Sequence, residues 1–176
     1  MLAAIVMAIT ITAAPVQDTT AAHKDTTPPA APAPTIEQIR YMDGLRTVTR
    51  GVAQIRDGVN RVVRTQGADS LTRRRAARRL GGLCGTARSF IVSGRPRMQA
   101  TAYSDSLKLL AKQLTVRLDS LTSALPTCER TAGHDPTAVT TTLTTRLKNY
   151  DDALLAFRTA QAAVNKPDSA KIQAIQ

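Results

Sequence analysis

Two cysteines are the residues best placed for covalent chemistry. Cys84 and Cys128 are the only cysteines among 176 residues, and in an oxidising compartment such a pair usually forms a structural disulfide. In a tight antiparallel hairpin, however, they would lie about 20 Å apart along the helix axis, whereas a disulfide needs Cα atoms within about 7 Å. We therefore predict a Cys84–Cys128 bond together with a break in the second helix at Gly81-Gly82, with Gly81 as the stop. The alternative is one buried and one surface thiol.

Metal and haem sites are poorly supported by the other candidate ligands. The spacing of Cys128, His134 and Asp135 matches no standard zinc site. Haem held by Met42 and His134 is disfavoured because His134 precedes the fourth predicted helix instead of lying within it. We predict no metal and no cofactor, and we interpret His134 as an ordinary loop residue.

Enzymatic motifs are also missing from the sequence. Asp151 and Asp152 are adjacent, so on a helix they point to different sides and do not form a paired-carboxylate acid/base site. There is no glycine-rich phosphate loop, no G-x-S-x-G and no H-E-x-x-H. We predict a protein that is not an enzyme and that works by binding or as a structural component.

A basic run in the second predicted helix is the strongest binding feature. Its members are Arg73, Arg74, Arg75, Arg78 and Arg79. At about 100° per residue these five side chains spread over one broad face. The net charge is +11, and residues 40–97 contain fourteen arginines and only three acids. Because guanidinium groups match phosphate in bidentate fashion, we predict binding to an anionic envelope component: anionic lipid, lipopolysaccharide or an acidic polymer.

Two other interpretations of the basic run stay open. The simplest is a solvated face with no ligand. The other is a nucleic-acid-binding protein kept inside the cell, whose binding would be mostly electrostatic. No aromatic residue is interspersed among the arginines, so base stacking is not indicated and nucleic acid is the less favoured partner.

The elements that position these residues are predicted to be helices. Aromatic residues make up 3% of the chain and tryptophan is absent, which favours a helical core of Leu, Val, Ile and Ala. Apolar residues recur at helical spacing in four segments: residues 36–65, 71–92, 98–125 and 136–165. Thr35, Ser104 and Asp135-Pro136 are start signals, and Pro126 is the predicted end of the third helix. We predict an all-α fold, an antiparallel bundle of about four helices over residues 36–166.

Three glycines mark one stripe of the first helix. Gly44, Gly51 and Gly58 recur every seven residues, although each glycine in a helix costs roughly 0.5–1 kcal/mol relative to alanine. We predict that they permit close helix packing, with Gly81 and Gly85 of the second helix as partners. The alternative is a groove that admits a ligand or another copy of the chain, which would make the protein an oligomeric scaffold.

The two ends of the chain predict its destination. Residues 1–14 contain an uncharged apolar run too short for a bilayer core of about 30 Å, and they predict a signal peptide, although no basic residue precedes the run. Residues 15–35 are rich in Pro, Ala and Thr and predict a disordered linker, and residues 167–176 predict a frayed tail. We expect a periplasmic or secreted protein without a transmembrane helix.

Overall fold

Four long helices form the fold. The structure, a computed structural model, describes residues 33–164. Its helices are α1 (Ile36–Arg64), α2 (Ser70–Gly94), α3 (Asp105–Thr131) and α4 (Pro136–Val164), with two 3₁₀ turns, Arg95–Arg97 and Ala100–Ala102, between α2 and α3. Each helix runs antiparallel to the next, which confirms the predicted all-α bundle. The predicted signal peptide, residues 15–32 of the predicted linker, the end of the fourth predicted helix and the predicted tail lie outside the described residues.

Local capping explains where the helices begin. The Thr35 hydroxyl accepts a hydrogen bond from the Gln38 amide, and the Gln38 side chain accepts one from the Thr35 amide. Asp135 accepts a hydrogen bond from the amide of Ala138, with Pro136 at the first helical position. These starts were predicted. Ser104 precedes α3 as predicted, but its side chain makes no capping hydrogen bond.

The core follows the predicted apolar spacing, and most of its aromatic residues gather at one end. Along α3 the fully buried side chains include Leu114, Leu118, Leu121 and Leu125. Tyr41, Tyr103 and Phe157 pack against one another with ring centroids 5.1–5.4 Å apart. Burial raises the pKa of Tyr41 and of Tyr103. We call this three-ring cluster the aromatic end.

The glycine stripe of α1 brings two backbones into close approach. It faces residues of α2 that also recur every seven positions: Gly94, Ala87 and Leu80. A Cβ on Gly44 would lie 2.7 Å from the Gly94 carbonyl oxygen, and a Cβ on Gly51 would lie 2.8 Å from the Ala87 carbonyl oxygen. A Cβ on Gly58 would meet the end of the Leu80 side chain instead, at 2.8 Å. Backbone contact therefore requires glycine most strictly at Gly44 and Gly51.

Gly81 and Gly85 do not pair with this stripe, which differs from the prediction. Both face α3. A Cβ on Gly81 would lie 3.2 Å from the carbonyl oxygen of Glu129, and a Cβ on Gly85 would lie 3.1 Å from a carboxylate oxygen of the same residue. These two glycines therefore permit close packing between the first helical hairpin and the second.

The predicted end of the third helix at Pro126 is wrong, because α3 continues to Thr131 with Pro126 inside it. An interior proline costs about 3 kcal/mol. The apolar spacing continues beyond it, however, with Leu125, Cys128 and Ala132 each at most 1% exposed. Burial of this last turn offsets the missing hydrogen bond.

The predicted break at Gly81-Gly82 is also wrong, because α2 is continuous from Ser70 to Gly94. Cys84 and Cys128 nevertheless form a disulfide, with Sγ atoms 2.05 Å apart and Cα atoms 6.2 Å apart. The incorrect assumption was the tight hairpin, which placed the start of α3 beside the end of α2.

The connection between α2 and α3 shifts their register. Arg95, just after α2, pairs with Asp119 and not with the start of α3. Asp119 lies about 21 Å along α3 from its first residue, at 1.5 Å per residue. Cys84 lies 11 residues before Arg95 and Cys128 nine residues after Asp119, so the offset brings the two cysteines level. Residues 95–104 span the extra distance.

Candidate functional site

The same offset leaves the beginning of α2 projecting past α3. Gly81 lies three residues before Cys84, and Thr131 lies three residues after Cys128. Because the disulfide joins the two cysteines, Gly81 and Thr131 lie at the same level of the bundle. From that level α2 extends roughly 16 Å further to its first residue, Ser70. This projecting stretch holds the whole arginine run of the sequence. Its buried residues are Ala76, Ala77 and Leu80, and Leu80 contacts Gly58 of α1.

A groove of about 1050 Å³ lies where the ends of the four helices meet on this side of the bundle. We call it the basic groove. Its basic side chains come from both hairpins: Arg73, Arg74 and Arg78 of α2, Arg130 of α3 and His134 of the α3–α4 loop. Glu129 is the one acidic side chain in the lining. Four guanidinium groups therefore share the groove with a single carboxylate.

The structure divides the five predicted arginines. All five are exposed, but only Arg73, Arg74 and Arg78 line the groove, and Arg75 and Arg79 lie outside it. Sequence reasoning missed Arg130 and His134. Their positions two and six residues after Cys128 were an available clue, because the disulfide carries them to the start of α2.

The groove arginines contrast with arginines elsewhere in the chain. Five ion pairs occur among residues 33–164, and none involves a groove arginine. Arg95, in contrast, donates from Nε and Nη2 to the two carboxylate oxygens of Asp119 at 2.8 and 2.9 Å. The Asp119 carboxylate raises the pKa of Arg95. The groove therefore holds cationic groups without carboxylate partners among the described residues.

Small residues form much of the groove wall. Ala77, Gly81, Gly82 and Gly133 line it, and the Cγ of Arg78 lies 3.7 Å from the position of a Cβ on Gly133. The stem of Arg78 thus crosses from α2 to the loop of the second hairpin. Because the side chains of these wall residues are small or absent, the long arginine side chains have room to extend into the groove.

Two helices begin at the groove, and an aspartate caps each of them. The first residues of α2 and α4, Ser70 and Pro136, are both lining residues, and helix N-termini carry partial positive charge. Asp69 caps α2 by accepting hydrogen bonds from the amides of Leu71 and Thr72 at 2.9 Å. The Thr72 hydroxyl also donates to Asp69 at 2.6 Å, and this bond lowers the pKa of Asp69.

The other candidate residues have separate surroundings. Asp151 pairs with Arg56 of α1 at 2.6 Å, whereas Asp152 pairs with Lys148 at 2.7 Å, so the two carboxylates face different partners. Met42 contacts the side-chain amide of Gln161, with Sδ and Nε2 3.8 Å apart.

Across residues 33–164, no three His, Cys, Asp or Glu side chains are grouped as metal ligands. Nor does this part of the chain contain a helix with the length and apolarity needed to cross a bilayer.

Fold and site together define the described part of the chain as a disulfide-linked four-helix bundle with a basic groove at one end. Compared with protein-family models, curated proteins and solved structures, the chain matches none of them.

Proposed function

We propose that this protein is an exported helical bundle without enzymatic activity, and that it binds an anionic envelope component through the arginine-rich beginning of α2. Anionic lipid, lipopolysaccharide and acidic polymers are the partner classes that this charge favours. The observation that carries the proposal is a projecting stretch of helix with five exposed arginines, none of them in an ion pair with another described residue.

The arginines are numerous enough to bind an anionic surface without a shaped pocket. Each basic residue near such a surface contributes about 1 kcal/mol, and the attraction decays over a Debye length of about 8 Å at physiological salt. Five residues acting together contribute about 5 kcal/mol, which corresponds to a dissociation constant of roughly 0.2 mM. Binding of this kind weakens as salt concentration rises.

The disulfide supports the proposed location outside the cytoplasm. Disulfides form and persist in the periplasm and in secreted proteins and are rare in the cytosol. The bond between Cys84 and Cys128 is therefore compatible with export, as are the apolar residues that predict a signal peptide.

The test compares vesicles of equal parts phosphatidylglycerol and phosphatidylcholine with vesicles of phosphatidylcholine alone. We expect binding only to the anionic vesicles, and we expect it to fade with added salt. A variant with all five arginines changed to glutamine should lose binding and keep its helicity, because glutamine is a good helix former. The matched control changes five other exposed cationic residues to glutamine: Arg40, Arg50, Arg88, Lys112 and Arg117.

Two outcomes would overturn the proposal. Equal binding to neutral vesicles, or equal loss in the control variant, would show that the beginning of α2 is not a specific binding surface. Tighter binding to duplex DNA than to anionic vesicles at the same salt concentration would favour the nucleic-acid alternative.

A further inference from the structure

We infer that the basic groove is a binding site for a phosphate group, which Arg78 of the first hairpin and Arg130 of the second contact together. This inference rests on the proposed function and narrows it from a charged face to a discrete site. It also names the chemistry of the ligand, a phosphate monoester, diester or diphosphate.

Basic side chains of both hairpins reach the groove. A flat anionic surface needs only the exposed face of α2, where Arg75 and Arg79 lie outside the groove. Arg130 and His134 come from the other hairpin and line the same space as Arg78. Convergence from two hairpins fits a ligand that enters the groove better than one that lies across it.

The walls of the groove are polar. Apart from alkyl stems, the apolar lining is limited to Val62, Ala77 and Pro136, while Thr65, Thr137 and Thr140 supply hydroxyl groups. A lipid chain would find little apolar surface here, because ligand pockets for apolar groups are lined mainly by hydrophobic and aromatic residues. The groove therefore suits a polar, charged group.

The charged side chains of the groove favour phosphate over carboxylate. Every permanently charged cation in the lining is arginine and none is lysine, and the planar fork of arginine matches phosphate oxygens in bidentate fashion. A carboxylate offers two oxygens in one plane. The free oxygens of a phosphate, two in a diester and three in a monoester, point in tetrahedral directions and can accept from guanidinium groups on different elements.

The groove is also held in shape, as a discrete site requires. Gly81 and Glu129 in its lining are separated along their helices by less than one turn from the disulfide between Cys84 and Cys128. The close approach of Gly81 to the Glu129 carbonyl oxygen fixes the two hairpins at this point. The helix segments that carry Arg78 and Arg130 therefore keep a fixed position relative to each other.

The experiment measures binding of inorganic pyrophosphate to the disulfide-bonded chain by titration calorimetry. The double variant Arg78→Gln/Arg130→Gln should weaken binding at least about tenfold, since each lost hydrogen bond joins two charged groups. The matched control, Arg75→Gln/Arg79→Gln, removes the same charge from exposed positions outside the groove. It should weaken binding less than about twofold, since those guanidinium groups act only at a distance.

Competition identifies the source of the phosphate. If pyrophosphate releases the protein from phosphatidylglycerol vesicles and Arg130→Gln weakens both interactions, the groove takes the lipid head group. If pyrophosphate binds in an Arg130-dependent way without releasing the protein from vesicles, the groove takes a soluble phosphorylated compound. Both results support a phosphate-binding site in the basic groove.

Other results overturn the inference and leave the proposed function standing. Equal losses of pyrophosphate affinity in the two double variants would mean that the arginines attract anions as a flat charged face and not as a discrete site. Vesicle binding that depends on the five arginines, with no pyrophosphate binding at all, would mean the same. If neither vesicles nor pyrophosphate bind, both proposals are wrong.

Discussion

Different residues fill the interior at the two ends of the bundle. At the aromatic end the interior is filled by the large rings of Tyr41, Tyr103 and Phe157, each at most 6% exposed. Beside the basic groove the buried residues at the beginning of α2 are small, namely Ala76 and Ala77. Each large ring buries about 150–250 Å². The hydroxyl groups of Tyr41 and Tyr103 have no hydrogen-bond partner among the described residues, so this cluster stabilises its end of the bundle by ring packing alone.

Arginine also differs between the two ends. Near the aromatic end Arg95 makes a bidentate ion pair with Asp119, and Arg46 pairs with Asp43. In the basic groove the arginines have no such partners within the described residues. Like charges held together oppose compactness, so the contrast teaches that the groove end gives up some stability and keeps its positive charges unpaired within the described residues.

Removing the disulfide should have the largest effect and should separate the two ends. The variant Cys84→Ala/Cys128→Ala opens a loop with a sequence separation of 44 residues and should lower the free energy of unfolding by about 3–4 kcal/mol. Denaturant unfolding measures this loss. Hydrogen exchange should show a greater loss of protection at the amides of Ala76 and Ala77 than at the amide of Tyr41, because the bond lies nearer the groove. Equal loss of protection at both ends would contradict the comparison.

Alanine in place of glycine should have opposite effects at the two ends. Gly44→Ala places a methyl group 2.7 Å from the Gly94 carbonyl oxygen and should destabilise the protein by about 1–3 kcal/mol. Gly82 borders the groove and would have nothing within 4 Å of an added Cβ. Gly82→Ala should therefore stabilise by roughly 0.5–1 kcal/mol, by helix propensity alone. Thermal melts of the two variants measure both effects, and a stabilising Gly44→Ala would contradict the close contact of α1 with α2.

Neutralising single arginines should have the smallest effect. Arg95→Gln removes the ion pair with Asp119 and should lower stability by at most about 1 kcal/mol. Arg74→Gln removes a groove arginine from among its neighbours and should leave stability unchanged or raise it slightly at low salt. Melts at low and high salt should show both differences shrinking as charges are screened. A loss of stability from Arg74→Gln that matches the loss from Arg95→Gln would mean that the groove arginines are paired after all.

Local sequence features were sufficient to predict the helices. Thr35, Asp135 and Pro136 mark helix starts by hydrogen-bonding rules that hold in any context. The interpretation failed where a local preference opposed tertiary packing. Pro126 and the Gly81-Gly82 pair both disfavour helix, yet the buried residues around them keep α3 and α2 continuous.

The candidate site was harder to predict for a different reason. Three groove arginines are close together in the sequence and were found as a run, but Arg130 and His134 are some fifty residues away. Their position depends on the length of the connection over residues 95–104 and on the resulting register of α3. A periodic apolar pattern predicts which face of a helix is buried and does not predict how far the helix slides along its neighbour.

The disulfide limits how far one hairpin can be displaced along the other. The facing seams of α2 and α3 repeat every seven residues: Ala77, Cys84 and Ile91 in one, and Leu107, Leu114, Leu121 and Cys128 in the other. Displacing one hairpin by a heptad, about 10.5 Å, would again set apolar residues against apolar residues, so hydrophobic contact alone distinguishes poorly between the two alignments. Only one alignment lets the two sulfurs meet. Together with the contact between Gly81 and Glu129 and the connection over residues 95–104, the covalent bond thus selects one register of the two hairpins, and with it the depth of the basic groove.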